Sequence, residues 1–227
     1  MVRPDFRYSQ DPRMTRRFHL ALWLLVGLFA AAAGRAQAHP HVWVTVKSEV
    51  VYAADGTVTG VQHAWTFDDM FSAFATQGLE SKKKGQFTRE ELQPLAEVNV
   101  TSLKDFDFFT NAKTDGKKAA FSDPVDYYLE FKDNVLTLHF MLPLKTPVKA
   151  KHLQLDIYDP TYFVDFSFDE KDPVALKGAP AACKLAVARP NDPTTQGKQV
   201  GEAFFNSLTS SSDYGAQFAN KIAVTCP

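Results

Sequence analysis

Two alternating runs on either side of an Asp-Gly pair constrain the fold more than any other feature of this chain. Residues 41–52 and 57–67 place apolar side chains at every second position, the period of a half-buried β-strand. Asp55-Gly56 between them is a strong hairpin signal, because both residues accept the positive φ of a tight two-residue turn. Such a turn pairs Ala54 with Thr57 and, counting outward, Val44 with Phe67. One face then carries Val42, Val44, Val46, Ser48, Val50, Val61, His63, Trp65 and Phe67, and is expected to be buried. The other carries His39, His41, Trp43, Thr45, Lys47, Glu49, Gln62, Ala64, Thr66 and Asp68, and is expected to be wetter. His41 therefore lies diagonal to Asp68 and close to Asp69. His63 falls on the apolar face, roughly 23 Å from His41 along the strands, and is read as a hydrogen-bonded core histidine.

The rest of the chain alternates helix and hairpin signals. Residues 68–79 read as a helix capped by Asp68 or Asp69, with Met70, Phe71, Phe74 and Leu79 as its apolar stripe. The stretch 80–91 sits on the frame of a twelve-residue EF-hand loop, with Glu80 first, Gly85 sixth and Glu91 last. Lys82 and Lys84 stand where oxygen donors belong, so calcium is not expected. The reading is a degenerate EF-hand-like loop, or simply a glycine turn between helices. Thr88-x-x-Glu91 is a capping box that opens a second helix over 89–106, with Pro94 inside it. Hairpins are expected around Asp115-Gly116 and Asp133-Asn134. Strands at 153–158 and 162–168 are read as joined by Asp159-Pro160. A short strand at 183–188, a helix at 194–208 and a last strand at 222–226 complete the chain. The expected fold is α+β: mostly antiparallel sheet, an inserted helix–loop–helix at about 68–106, and a C-terminal helix.

The N-terminus reads as an export leader. Arg13, Arg16 and Arg17 precede an apolar stretch at 20–29, and Ala36-Gln37-Ala38 fits the small-residue pattern of signal peptidase. The apolar part is shorter than the ~20 residues that span a bilayer, so 1–38 is read as cleavable rather than as an anchor. Met14 is an alternative start. The mature chain 39–227 is then expected to be one periplasmic domain without a membrane span. Cys183 and Cys226 agree with this, since a lone pair in an oxidising compartment is most simply a disulfide. A thiolate metal site would want a C-x-x-C spacing that is absent.

Cleavage after Ala38 would expose His39 as a terminal residue. Its amine and imidazole, with the imidazole of His41, form a donor set suited to Cu, Ni, Co or Zn rather than Ca or Mg. Pro40 has no N–H and excludes the square-planar terminus that uses deprotonated amides. Asp68 or Asp69 could add a carboxylate. The competing reading is two exposed histidines opening an edge strand. The formal net charge of −1 gives no reason to expect nucleic acid or an anionic membrane as partner. No G-x-S-x-G or H-E-x-x-H occurs, and the chain is not read as an enzyme.

Four stretches match a known pattern in order: 38–43 (Ala-His-Pro-His-Val-Trp), 65–71 (Trp-Thr-Phe-Asp-Asp-Met-Phe), 158–163 (Tyr-Asp-Pro-Thr-Tyr-Phe), and 218–220 (Phe-Ala-Asn) with the closing Cys226-Pro227. Together they resemble a bacterial family of unknown function described as the periplasmic component of an uncharacterised ABC-type transport system. Its members are often encoded beside nickel/cobalt-type permeases. The resemblance implies export and a role in metal handling, with an inner-membrane permease as partner. It departs at the loop 80–91, which is acidic in many relatives. The expected function is a periplasmic accessory or metal-binding component of a transition-metal transport system, with His39, His41, Asp68 and Asp69 as ligands. A metal-free interaction module docking a membrane partner is the alternative.

Overall fold

The computed structural model describes residues 40–83, 85–190 and 213–227. His39, the expected leader and the expected helix at 194–208 lie outside these residues. The opening hairpin forms as the alternation requires: β1 (Val42–Tyr52) pairs antiparallel with β2 (Val58–Phe67), and Val44 lies opposite Phe67. Every residue assigned to the inner face is buried, from Val46 at 0% to Val42 and Phe67 at 9% exposure.

The turn differs from expectation while the register does not. Ala53 N donates to Thr57 O at 2.8 Å, so the loop holds three residues and ends with Gly56 at φ 83°. That is a three-residue hairpin with glycine in the left-handed position. A register shift between Val51 and Tyr52 on β1, opposite Thr59, absorbs the extra residue. Beyond it, the strands pair as a two-residue turn would have set them.

Two sheets stack around this hairpin. β3 (Thr110–Thr114), β4 (Lys117–Ala119), β5 (Val125–Lys132), β6 (Val135–Val148), β7 (His152–Ile157), β8 (Val164–Phe168), β9 (Val174–Lys177), β10 (Lys184–Ala188) and β11 (Asn220–Thr225) follow in order. The first sheet runs β5-β6-β2-β1-β8, with β9 also on β1; the second runs β10-β11-β7-β3-β4. The pairings are antiparallel except where β8 and β9 run parallel to β1. The fold is thus mixed α+β with mostly antiparallel sheets. Asp115-Gly116 and Asp133-Asn134 turn their hairpins with positive φ at both residues, as the composition predicts.

Strands β7 and β8 do not form a hairpin around Asp159-Pro160. They belong to different sheets, so this stretch is a corner that carries the chain from one sheet to the other. Asn220 on β11 is buried there. Its Oδ1 accepts from Phe168 N at 3.2 Å and its Nδ2 donates to Phe166 O, tying the second sheet to the first.

Helix α1 (Asp69–Ala75) is shorter than the sequence predicts, and its buried side is different. Phe71 stacks on Phe67 at 4.6 Å, and the Ser72 hydroxyl accepts from Leu136 N on β6 at 2.9 Å. These contacts turn Met70 and Phe74 outward, 65% and 74% exposed. Phe71 and Leu79 of the predicted stripe pack inward as expected, joined by Ala75. Helix α2 (Arg89–Leu103) runs through Pro94 and buries Leu92, Ala96 and Val100, one side of the helix at four-residue spacing. Arg89 at its start covers the Tyr128 ring at 3.7 Å, and that ring stacks on His139. The expected helix to 106 stops at Leu103, where a tight turn (Lys104–Phe109) takes over.

Cys183 and Cys226 form a disulfide. They extend the β10–β11 pairing by one position beyond Lys184 and Thr225. Replacing both by serine should destabilise the protein by about 3–4 kcal/mol, as expected for releasing a loop of this length. Urea unfolding of the oxidised and double-serine proteins checks this.

Candidate functional site

The corner carrying the predicted ligands is organised by Asp68, between β2 and α1. Its Oδ1 accepts from Phe71 N at 2.7 Å as the helix cap, and its Oδ2 accepts from Trp43 N at 2.9 Å. Asp68 N donates back to Trp43 O at 3.0 Å. The helix start is thereby bolted to β1 two residues past His41. Both carboxylate oxygens already hold a backbone donor, so Asp68 works first as a clamp. Asp69 is exposed in the first turn of α1. His41 is exposed, with its ring 4.6 Å from that of Phe163 and its backbone N–H on Phe163 O. The fold thus gathers His41, Asp68 and Asp69 at one end of the first sheet. Among the described residues, no three His, Cys, Asp or Glu side chains form a group that could hold a metal ion; His39 lies outside them.

The second predicted feature, the loop 80–91, is organised by Glu91. Its carboxylate accepts from Lys82 N and from Thr88 N, both at 2.9 Å, and Thr88 Oγ1 accepts from Glu91 N. These backbone donors, that of Thr88 first, hold the Glu91 carboxyl below its ordinary value. Glu80 and Gly85 are exposed on the same loop. The capping box predicted from Thr88-x-x-Glu91 is present.

His63 is the core histidine that its place on the strand predicts. It is fully buried, with Nδ1 at 2.9 Å from Ser48 Oγ and Nε2 at 3.4 Å from Thr110 Oγ1. Burial pushes its pKa down to about 3, so it is neutral in the folded protein at neutral pH.

What sequence reasoning missed is an apolar cavity of about 520 Å³ beside the Asp68 corner. It lies between the inner face of the first sheet, α2 and the loop 159–163. Three of the four stretches that carry the family resemblance contribute to its wall, through Val42, Trp65 with Phe67 and Phe71, and Asp159 with Phe163. Trp65 is 1% exposed, and its indole N–H has no acceptor among the described residues. An unpaired buried donor costs about 1–3 kcal/mol. The wall also includes Phe109, last of three consecutive residues in left-handed backbone, Asp107, Phe108 and Phe109, with φ between 47° and 55°. Phenylalanine in that region is strained. The ring of Phe106 stacks on that of Phe109 at 5.1 Å and stays half exposed. The one available signal was the high phenylalanine content, 19 residues, which by itself indicates only an aromatic core.

The loop 159–163 is fixed by Asp159, 4% exposed. Its Oδ1 accepts from Thr161 N and Thr161 Oγ1, both at 2.8 Å; its Oδ2 accepts from Phe163 N at 3.1 Å and Val164 N at 3.0 Å. Tyr162 sits at φ 59° and packs its ring 4.2 Å from that of Phe218. Gly215 N donates to Pro160 O at 2.8 Å, and a Cβ at Gly215 would overlap the Asp159 carbonyl oxygen. No helix among the described residues is long and apolar enough to cross a membrane.

Fold and corner define a mixed α+β protein whose loops and first helix meet at one end of a two-sheet core. The chain belongs to the family described as protein of unknown function (DUF1007), whose model matches residues 24–226. It is similar to an uncharacterized protein of Haemophilus influenzae, 26% identical over 213 residues that span 89% of this chain and 97% of the relative. It is also similar to an uncharacterized 15.5 kDa protein in the trpE 3′ region of Spirochaeta aurantia, 33% identical over 94 residues, 41% of this chain and 67% of the relative.

Two outcomes follow from these geometries. Asp159→Ala strands four donors at the sheet crossing and should cost at least about 3 kcal/mol, read as a lowered urea midpoint at unchanged slope. His63 has a folded pKa below its unfolded value, so its contribution is complete above pH 6.5 and is lost as pH falls toward 3. Between pH 7 and pH 5 it should remove about 2 kcal/mol of stability. That slope should be missing from His63→Gln when the two proteins are unfolded side by side.

Proposed function

We propose that this protein is an exported accessory or metal-binding component of a transition-metal transport system. It takes a nickel, cobalt, zinc or copper ion at the corner of His39, His41 and Asp69, with Asp68 holding the corner in place. The reading needs cleavage after Ala38, which frees the amine of His39. An amine and two imidazoles suit these borderline metals, and a carboxylate from Asp69 completes a set of mixed nitrogen and oxygen donors. The observation that supports it is the Trp43–Asp68 hydrogen-bond pair, which fixes α1 against β1 beside His41. The Asp68 carboxylate orients the corner and is the weakest ligand candidate, because both its oxygens already accept backbone donors.

The degenerate EF-hand-like loop fits a structural role in this scheme. Glu91 is engaged with its own loop, and Lys82 stands at a position that calcium would require to be an oxygen donor. The periplasm is the compartment, an inner-membrane permease the recipient, and no catalysis is involved. A second reading, a metal-free module that docks a membrane partner, is favoured by the exposure of Met70 and Phe74 one turn apart on α1 and of Trp43 on β1.

Protein exported from its precursor should begin at His39 and bind nickel, copper or zinc. His41→Ala should weaken that binding by at least about tenfold, and Asp69→Asn by less. A different terminus, or equal binding by wild type and His41→Ala, sinks the metal reading. If the paired change Met70→Ser and Phe74→Ser then abolishes retention on permease-containing membranes, the interaction module is the better account.

A further inference from the structure

We infer that Tyr128 is the centre of a pH-sensitive clamp: protonation of His139 displaces Arg89 from the Tyr128 ring and loosens the start of α2. Tyr128 lies on β5, His139 opposite it on β6, and Arg89 is the first residue of α2. A cation in the first turn faces the positive end of the helix dipole and is disfavoured there. Among the described residues no ion pair holds Arg89. Its hold is the Tyr128 ring, which the guanidinium covers at 3.7 Å.

That ring is shared. His139 stacks on it at 4.5 Å with the planes 12° apart. Two groups this close to one ring centre do not fit on the same face, so the imidazole and the guanidinium take opposite faces. They stand about 8 Å apart, no more than one Debye length at physiological salt. A charge gained on His139 is therefore felt at Arg89. His139 is placed to gain one. Its Nε2 is buried without a hydrogen-bond partner and lies 3.5 Å from Glu130 Oε2, a ready counter-charge for the protonated form. Burial first, and Arg89 after it, hold the imidazole below its ordinary value of 6.5 against the pull of Glu130, so it charges only in acid.

The other groups around His139 leave this exchange undisturbed. On β2, Ala64 is its cross-strand neighbour, with Gln62 and Thr66 on the same face. Beyond Ala64, Lys47 on β1 is engaged by Asp169 at 3.6 Å. Thr137 and Met141 flank His139 on β6 itself. On α2, Glu90 follows Arg89, and its carboxylate is held by its own backbone N–H. At neutral pH the Tyr128 ring thus faces one cation, and in acid it faces two. His139 is half-buried and anchored by Glu130, whereas Arg89 is exposed and regains water on leaving. Arg89 is therefore the one displaced. Its departure frees the first turn of α2, which carries the capping box of Thr88 and Glu91. Phe87 keeps its edge-on contact with Phe131 on β5 at 5.1 Å, so the helix start loosens without detaching. None of these residues belongs to the His41 corner, and the clamp stands or fails independently of metal binding.

The test is NMR of the full exported chain from about pH 7.5 to about pH 4.5, across the histidine range. The Arg89 side-chain protons, shifted upfield by the Tyr128 ring at neutral pH, should move toward their free value with the same midpoint as the His139 imidazole. The ratio of docked to free Arg89 should fall about three- to fivefold, the size of an exposed cation–π contact. The Thr88 and Glu91 amides should exchange faster by the same factor, once the intrinsic effect of pH is removed, while the amides of β2 keep their protection. His139→Phe keeps a ring in the stack and removes the titration, so its Arg89 should stay docked throughout. Glu130→Gln removes the counter-charge from an exposed position and should move the midpoint to lower pH. Arg89 signals that stay fixed while His139 titrates, or that move equally in His139→Phe, overturn the proposal. Protection lost in β2 together with the capping box marks global unfolding and overturns it as well. Should His139→Phe fail to fold, Glu130→Gln decides: a lower midpoint supports the clamp and an unmoved one overturns it.

Discussion

The crossing between the two sheets depends on one carboxylate. Asp159 gathers Thr161, Phe163 and Val164 around itself through four hydrogen bonds. It thereby delivers β8 to the edge of the first sheet directly after β7 leaves the second. Without that turn, β8 could not lie parallel to β1, and the inner face of β1 would lose the cover of Phe166 and Phe168. Gly215 lies so close to the Asp159 carbonyl that only a residue lacking a side chain fits. Asn220, a few residues later, bonds two backbone groups of β8. Three polar or minimal residues thus do what hydrophobic contact alone could not, because packing is non-directional and does not specify which strand follows which.

The same corner explains why the neighbouring aromatic residues are arranged as they are. His41 rests on Phe163, Phe163 borders the cavity, and the cavity wall continues through Trp65 to the helix that Asp68 caps. The candidate metal corner and the apolar cavity are therefore neighbours built on shared supports. Changes in Asp159 or Asp68 would disturb both, whereas Asp69 and Ser102 each touch one.

The hairpin and its faces were legible because alternation with a period of two leaves a single way to bury Val44, Val46 and Val50 together. The turn was misread, yet the register survived, because the bulge opposite Val51 and Tyr52 compensates for the extra loop residue. Helix α1 was misjudged for a different reason. Its apolar residues exceed what one face can bury, and Phe67 just before the helix and Leu136, distant in sequence, choose Phe71 and Ser72. The sheet crossing at Asp159 was hidden because Asp-Pro reads equally well as a hairpin turn or a corner. The cavity was invisible for the most general reason: a void is made by residues from five separate stretches, and no local pattern records the space they leave. His41 and Asp68 lie at the same end of the first sheet because the register, with Val44 opposite Phe67, puts the start of β1 beside the end of β2. Whether they hold a metal is a question of donor chemistry beyond the register.

The bond between Cys183 and Cys226 closes a covalent ring across a separation of 43 residues, and the ring contains both β10 and β11. A protease cut anywhere between these two strands would therefore yield two polypeptides that remain one molecule, joined by the crosslink and still zipped by the β10–β11 ladder. This separates integrity of the chain from integrity of the fold. Gel mobility under reducing conditions would report the first, and the sheet would preserve the second.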